Sequence, residues 1–453
     1  IIDPRFQIRL KNYWSIDEDA DATPRSSDGQ LLFLMEMVSK MKSLSQSARG
    51  SRIASVHNGS SLFTGDAGGG ESNIRRYIIE NDWLEAIIQM PNNLFYNTGI
   101  TTYIWLLSNN KEKHRKGKVQ LIDASLLYKK LRKNLGNKNC EFAPEHIREI
   151  VDVYQNMKAI ERNGEEGIAS QIFDNADFGY YKVTVERPKR LKAQFTEERI
   201  AELRYDKTLR EPMVWAYEQF GEEVYTNLAK HEKEILDWCE KQELNLSAKQ
   251  KKAMLSGETW QKGLDLLKAA KNLMNAIGAD EFTDFNIFRS KVDETIKEHK
   301  LKLSASERNA ILTAVSWYDS SAEKVVKGTV KLAGEKLENL LEHLGCNVNQ
   351  LSDYGYFPTS KKGEWIEYET ESELRDTENV LLKDNIYEYF LREVKPHVDE
   401  AWINLDATKI GYEISFNKYF YRHKPLRSIE EVTADIIALE KESEGLIKEI
   451  LGI

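Results

Sequence analysis

Arg52-Ile-Ala-Ser-Val-His57, Leu84-Glu-Ala-Ile-Ile-Gln-Met90 and Thr101-Thr-Tyr-Ile-Trp-Leu-Leu107 decide the fold. Each is short and rich in β-branched or apolar residues, the composition of a strand. Between the first two, Gly65, Gly68, Gly69 and Gly70 break the pattern, and Ile74, Tyr77 and Ile78 then recur at helical spacing within Glu71–Asn81. The order is strand, helix, strand, turn, strand. Only the short segment Pro91–Thr98 joins the last two strands, so they are expected to form an antiparallel hairpin that ends an otherwise parallel sheet.

Working outward, Leu31 to Met41 carries apolar residues at helical spacing, which makes residues 28–110 an α/β unit. From Lys111 to Lys138 the chain turns basic around one more strand, Val119–Asp123. Such a run is either a solvated face or a phosphate-contacting surface, and the sequence leaves both open. Residues 196–375 are dominated by charged amphipathic patterns such as Leu228–Leu244 and Ala305–Trp317, which read as helices. Composition shifts again near Thr377, through aromatic-rich Gly411–Tyr421, to a last helix opened by a Ser428-x-x-Glu431 capping box. Its apolar positions Ile429, Val432, Ile436, Leu439, Leu446 and Ile450 keep a coiled-coil spacing apart from Ser443. That stripe packs either on this chain or on a partner.

The 453 residues are 41% hydrophobic and 30% charged, ordinary for a soluble protein of two or three domains, and no apolar run approaches the length of a membrane span. Cys140, Cys239 and Cys346 lie far apart, which argues against a zinc site or a disulfide framework and matches a reducing cytoplasm. A net charge of −9 gives no support for a general DNA binder, although a local basic face can still contact phosphate. The first residue is Ile1, with neither an initiator methionine nor a secretory leader, so the beginning reads as a cut.

The glycine cluster lacks the Lys-Ser/Thr of a P-loop, and neither H-E-x-x-H nor G-x-S-x-G occurs. His57 stands beside Ser60 and Ser61 but has no positioned acid, which disfavours nucleophilic catalysis.

Four stretches resemble, in order, the late motifs of the modification (M) subunits of type I restriction-modification systems, which are N6-adenine methyltransferases. They are Ser27-Asp-Gly-Gln-Leu-Leu-Phe-Leu-Met-Glu36, His57-Asn-Gly-Ser-Ser-Leu-Phe-Thr-Gly65, the segment from Glu71 to Ala86, and Asn93-Leu-Phe-Tyr-Asn-Thr-Gly-Ile-Thr-Thr-Tyr-Ile-Trp105. The likeness continues through Lys116–Asp123, Phe173–Pro188 and Lys409–Ile414, with the helical middle as its weakest part. It implies an incomplete Rossmann-like methyltransferase sheet, its late strands and antiparallel hairpin followed by largely α-helical regions. The expected divisions are 1–195 for the methyltransferase half, 196–375 for the helical region and 376–453 for a subunit-interaction region.

By the same resemblance Phe95 belongs to the motif that closes the target-adenine pocket. An extruded base needs a flat apolar surface to replace lost stacking, worth about 1–3 kcal/mol. Filling the core under the hairpin is the competing role. Phe33 is implied to approach the cofactor, or else packs with Leu31, Leu34 and Met35. His57, Asn58 and Gly59 end a strand, where open α/β sheets place ligands, and stand as site-lining candidates.

Members of the family carry a Gly-rich turn for S-adenosylmethionine and an Asn-Pro-Pro-aromatic motif that holds the adenine amino group. No Pro-Pro occurs here and the glycine cluster follows a late strand, so both motifs are expected upstream of Ile1. Accordingly no catalytic residue and no metal site is named in this chain, and the chain alone is expected to be inactive. The implied partners are DNA, a specificity (S) subunit and a restriction (R) subunit. A fused restriction-methylation polypeptide, a stand-alone adenine methyltransferase and a non-catalytic scaffold between recognition and nuclease subunits are the alternatives.

Overall fold

The computed structural model describes residues 3–162, 167–420 and 428–451. Two compact units emerge, one of residues 1–181, 381–383 and 409–453, the other of residues 182–380 and 384–408.

The first unit is built on a mixed five-stranded sheet. Its elements in chain order begin with a hairpin, β1 (Gln7–Lys11) and β2 (Asp17–Asp21), then helix α1 (Gln30–Ser39), β3 (Arg52–Asn58), α2 (Gly70–Glu80), β4 (Leu84–Gln89) and β5 (Thr102–Ser108). β6 (Lys118–Asp123), a second hairpin of β7 (Lys129–Leu135) and β8 (Lys138–Glu141), helix α3 (Pro144–Gln155) and β9 (Ala169–Asp174) follow. The sheet order is β3-β5-β4-β6-β9. β5 runs antiparallel to both β3 and β4, whereas β4 and β6 are parallel. The expected hairpin is present, with Ile88 opposite Ile104 and Gln89 opposite Tyr103, but it does not end an otherwise parallel sheet. β5 is inserted between β3 and β4, and the edge strand β9 is antiparallel to β6, pairings that lie beyond the reach of local sequence spacing.

This topology points the C-terminal ends of β3, β4 and β6 to one edge of the sheet, beside the first residues of β5. β4 and β6 are buried nearly throughout, and Ile87, Trp105, Val119 and Leu121 are fully enclosed. One face packs on α1 and α2 through Leu31, Leu34, Ile74 and Ile78. The other packs on α3 through Val153, with Ile88 and Ile122 beneath it. At about 25 cal/mol per Å² of apolar surface removed from water, such side chains each contribute roughly 1.5–3 kcal/mol.

α2 has an unusual interior for a surface helix. Ser72, Asn73, Arg75 and Arg76 are buried along with its isoleucines. Arg75 donates from Nε to the Tyr412 carbonyl at 2.6 Å and from Nη1 to the Ser61 carbonyl at 3.1 Å, and the Ser72 hydroxyl accepts from the Tyr412 N–H at 3.0 Å. A far segment of sequence, Gly411–Ile414, is thus fastened to the helix by hydrogen bonds that replace its lost water. Burial lowers the Arg75 guanidinium to about 10, which leaves it charged at neutral pH.

The second unit is helical over 197–314, with the long helix Gly257–Ile277 burying Leu267, Ala270 and Leu273 against Phe285, Phe288 and Ile311. The helix expected over Ala305–Trp317 stops at Ala314. Trp317 instead lies in a strand, Ser316–Tyr318, opposite Lys192. Local spacing favoured one more helical turn there, but the ladder with Leu191–Ala193 satisfies those backbone groups instead. A small sheet of Val326–Lys331, Glu364–Tyr368 and Phe357–Pro358 interrupts the helical region.

The capping box forms, Glu431 N–H donating to the Ser428 hydroxyl at 3.1 Å and Ser428 N–H to the Glu431 carboxylate at 3.1 Å. It opens the helix Ile429–Leu451. Ile429, Val432, Ile436 and Leu439 of its stripe are all exposed; the side chains of Leu446 and Ile450 lie outside the described residues. No helix among the described residues is long and apolar enough to cross a membrane.

Candidate functional site

Three groups of residues meet at the sheet edge defined above. The first is the end of β3. His57 is 4% exposed, and neither ring nitrogen has a hydrogen-bond partner. Its ring stands edge-on to Trp105, centroids 5.9 Å apart. Burial pulls the imidazole down to about 4 despite the nearby Asp28 carboxylate, so it is neutral at physiological pH. Asn58 belongs to a polar network. The Gln30 carboxamide of α1 accepts from the Asn58 N–H at 3.0 Å and donates to Asn58 Oδ1 at 2.6 Å, with Asp28 Oδ1 also 3.0 Å away. The Ser60 hydroxyl donates to Asp28 and lies 2.6 Å from Gln30 Nε2. Burial works against the Asp28 charge, but bonds from Ser60 and Gln30 outweigh it and hold the carboxyl below its ordinary range. Ser60 is therefore committed to Asp28, and Ser61 donates to the Asn58 carbonyl at 2.8 Å; no hydroxyl is paired with His57. A Cβ on Gly59 would lie 3.4 Å from the Tyr103 ring, an ordinary van der Waals contact.

The second group is the loop from β4 to β5. Met90 N–H donates to the Thr102 carbonyl at 2.9 Å, and Thr102 in turn lies opposite Asn58. The loop bends at Asn93, whose φ of +56° asparagine tolerates better than most residues. Beyond the bend Phe95 bridges Thr98 and is 38% exposed; Tyr96 and Ile100 are exposed as well.

The third group is the β7–β8 hairpin, which the sequence left undistinguished within its basic run. Backbone N–H groups of Asn137 and Asn139 donate to the carbonyls of Tyr96 and Asn93, at 2.9 and 3.1 Å. The Lys138 ammonium reaches the Leu94 carbonyl at 2.9 Å and sits 5.9 Å from the centre of the Tyr96 ring. Cys140 Sγ donates to the Asn92 carbonyl at 3.2 Å.

Loop, hairpin and the end of β6 enclose a cleft of about 480 Å³. Its polar lining is mostly neutral carboxamide: Gln89, Asn92, Asn93, Asn134 and Asn139, with Lys130 at one side. Phe95, Phe33, His57, Asn58 and Gly59 are not among its walls. His57, Asn58 and Gly59 share the neighbouring end of β3, and Phe33, on α1 with Gln30, is 73% exposed. No group of three His, Cys, Asp or Glu residues among those described is placed to hold a metal ion.

The family model described as N-6 DNA Methylase matches residues 3–193, the part that carries the sheet and this edge. That segment is similar to the N-6 DNA methylases. More narrowly, the chain is similar to methylase subunits of type I restriction enzymes. It is 39% identical over 110 residues to the Type I restriction enzyme MjaVII methylase subunit of Methanocaldococcus jannaschii, covering 24% of this chain and 18% of that protein. It is 36% identical over 90 residues to the MpnII methylase subunit of Mycoplasma pneumoniae, covering 20% and 15%. These matches span less than a fifth of either relative's length. The crystal structure of a type I restriction-modification methyltransferase subunit from Streptococcus thermophilus aligns with 34% of this chain and 28% of its own at 22% identity, with a TM-score of 0.28.

None of the cleft's lining residues is acidic. It therefore offers no counter-charge to the ammonium or sulfonium group of S-adenosylmethionine, and the cleft does not fit that cofactor.

Proposed function

We propose that this chain is part of the modification subunit of a type I restriction-modification system, which transfers a methyl group from S-adenosylmethionine to N6 of adenine in DNA. The observation that carries this reading is the pairing, at the carboxyl edge of the parallel strands, of an amide-lined cleft with an exposed aromatic loop. Carboxamides present both donors and acceptors, which matches the edge of a base better than it matches a charged metabolite. Phe95 in this reading supplies the apolar surface against which an extruded adenine stacks. His57, Asn58 and Gly59, with Phe33 on the adjoining helix, line the approach from β3. The sequence contains neither the Gly-rich turn that would hold S-adenosylmethionine nor the Asn-Pro-Pro-aromatic motif that would hold the adenine amino group, so in this reading the chain on its own binds the cofactor poorly and does not methylate.

The partners follow from the same reading: duplex DNA, a specificity subunit and a restriction subunit, met in the cytoplasm. The apolar stripe Ile429, Val432, Ile436 and Leu439 is uncovered and is proposed to dock on the specificity subunit, within an interaction region spanning 376–453. That exposed stripe also favours the rival reading of a non-catalytic scaffold.

One experiment separates the two. The complex carrying this chain is purified from its native cells and incubated with S-adenosylmethionine and duplex DNA, and N6-methyladenine is quantified by mass spectrometry. Methylation by the complex, with none by the isolated chain, is the expected result; an intact complex that produces no N6-methyladenine sinks the enzyme reading and leaves the scaffold.

A further inference from the structure

The basic run splits into two populations. Lys111 and Arg115 are buried: the Lys111 ammonium pairs with Asp82 at 2.6 Å and donates to the Lys118 carbonyl, and Arg115 lies over the Tyr154 ring and donates to the Tyr154 carbonyl. Lys129, Lys130, Arg132 and Lys133 are all exposed, and none makes an ion pair with a described residue. From Ala124 to Cys140 there is no acidic residue, in a protein whose net charge is −9. Glu141 stands opposite Lys129 in the ladder, but Lys130 faces Cys140 and Arg132 and Lys133 face no acidic residue across it, so the fold does not account for this concentration of cations.

An isolated two-stranded hairpin is marginal in water. This one is held by its hydrogen bonds to the 92–96 loop, so its position is coupled to the loop that presents Phe95 and Tyr96. Lys129 and Lys130, on successive residues of the paired part of the strand, face opposite sides of the ribbon, and Arg132 and Lys133 lie in the irregular stretch that follows. The pairing register shifts between Lys130 and Leu135, a bulge that increases local twist. A two-stranded ribbon is narrow enough to enter a DNA major groove.

We propose that the β7–β8 hairpin is a clamp for the sugar-phosphate backbone of duplex DNA, its four exposed cations contacting phosphates while the attached loop is held against the bases. The occupant follows from charge complementarity, a polyanion meeting a cation-rich ribbon beside exposed Phe95, Tyr96 and Tyr128. The identity of that polyanion as duplex DNA rests on the reading of this chain as a DNA methylase segment.

The test uses the 453-residue chain and a fluorescein-labelled 30-base-pair duplex of mixed sequence, with anisotropy followed at a series of salt concentrations. Lys129→Gln, Lys130→Gln, Arg132→Gln and Lys133→Gln are combined in one variant. A control combines Lys241→Gln, Lys249→Gln, Lys252→Gln and Lys336→Gln, four exposed lysines of the second unit. Each phosphate contact contributes about 0.9 to the slope of log affinity against log salt, so the hairpin variant is expected to lose about 2–4 from that slope and at least about tenfold in affinity at low salt. The control changes both by much less. Equal losses in the two variants, an unchanged hairpin variant, or no measurable binding by the unaltered chain at about 50 mM salt each overturn the proposal. If the purified complex methylates adenine while the hairpin variant binds normally, the clamp fails and the methylase reading stands. If hairpin neutralisation abolishes binding but the complex forms no N6-methyladenine, the reverse holds.

Discussion

The sheet with its packing helices and the β7–β8 hairpin use similar residue types in opposite ways. In the first region polar groups are sunk into the protein: His57 has no hydrogen-bond partner, Lys111 is tied to Asp82, and Arg75 spans three stretches of backbone. In the second, lysines and aromatics of the same run of sequence stand in water. Buried charge is stable only with fixed partners, so Lys111 and Arg75 hold the fold and are not available to a ligand. Exposed cations without partners add almost nothing to stability and remain free for one.

Lowering the pH tests the buried side most strongly. The folded imidazole of His57 titrates near 4 because of its burial, against 6.5 when solvated. Above 6.5 it is neutral in both states and its burial is unopposed; below that the unfolded chain takes up a proton that the folded one refuses, and stability falls until about pH 4. The expected loss from this residue is on the order of 3 kcal/mol in all, about 2 of it between pH 7 and 5. Urea midpoints at those two pH values should differ by that much more in the natural protein than in His57→Phe. An equal pH dependence in both would show that the ring is solvated.

Lys111→Met leaves Asp82 without its ammonium but still bonded to the Gly117 N–H and the Asn175 amide. Since the Asp82 side chain is 30% exposed, the cost is expected at about 2–3 kcal/mol, below that of a fully enclosed pair. Chemical denaturation of the variant checks it; a change under about 0.5 kcal/mol would put Lys111 with the hairpin cations.

Phe95→Ala is expected to move stability by less than about 1 kcal/mol, because the ring is already 38% exposed, whereas a core phenylalanine costs about 3–5 kcal/mol. In the purified complex the same change should lower N6-methyladenine formation. A melting curve that collapses would assign the ring to the core under the hairpin instead.

Smallest of all, the four glutamine substitutions in β7 should leave the urea midpoint within about 0.5 kcal/mol of the unaltered chain, as for surface positions generally. A larger loss would mean that these cations stabilise the hairpin and that the contrast between the two regions is false.

The strands of the sheet were legible because their signal is local. Arg52–His57 and Leu84–Met90 differ from the observed β3 and β4 by a residue at one end and Thr101–Leu107 from β5 by a residue at each end, and the antiparallel turn between the last two follows from the length of Pro91–Thr98. The capping box at Ser428 was legible for the same reason, since its partners are three residues apart. The Asp28, Gln30, Asn58 and Ser60 network was not, although Asp28 and Gln30 lie inside a quoted motif: its bonds cross 28 to 32 residues of chain. Spacing alone puts Trp317 in a helix, because it cannot register the strand at Leu191–Ala193 that captures it.

What the sequence by itself determined is the order of strands and helices from α1 to β6 and the resemblance of its motifs to N6-adenine methylases, both functions of near neighbours along the chain. Tertiary structure alone decided which of the basic residues are buried, that His57 stays uncharged, and that the β7–β8 hairpin is fastened to the loop of Phe95. The physical reason is that solvation sets the free energy of a charge, and solvation depends on what long-range folding brings beside it.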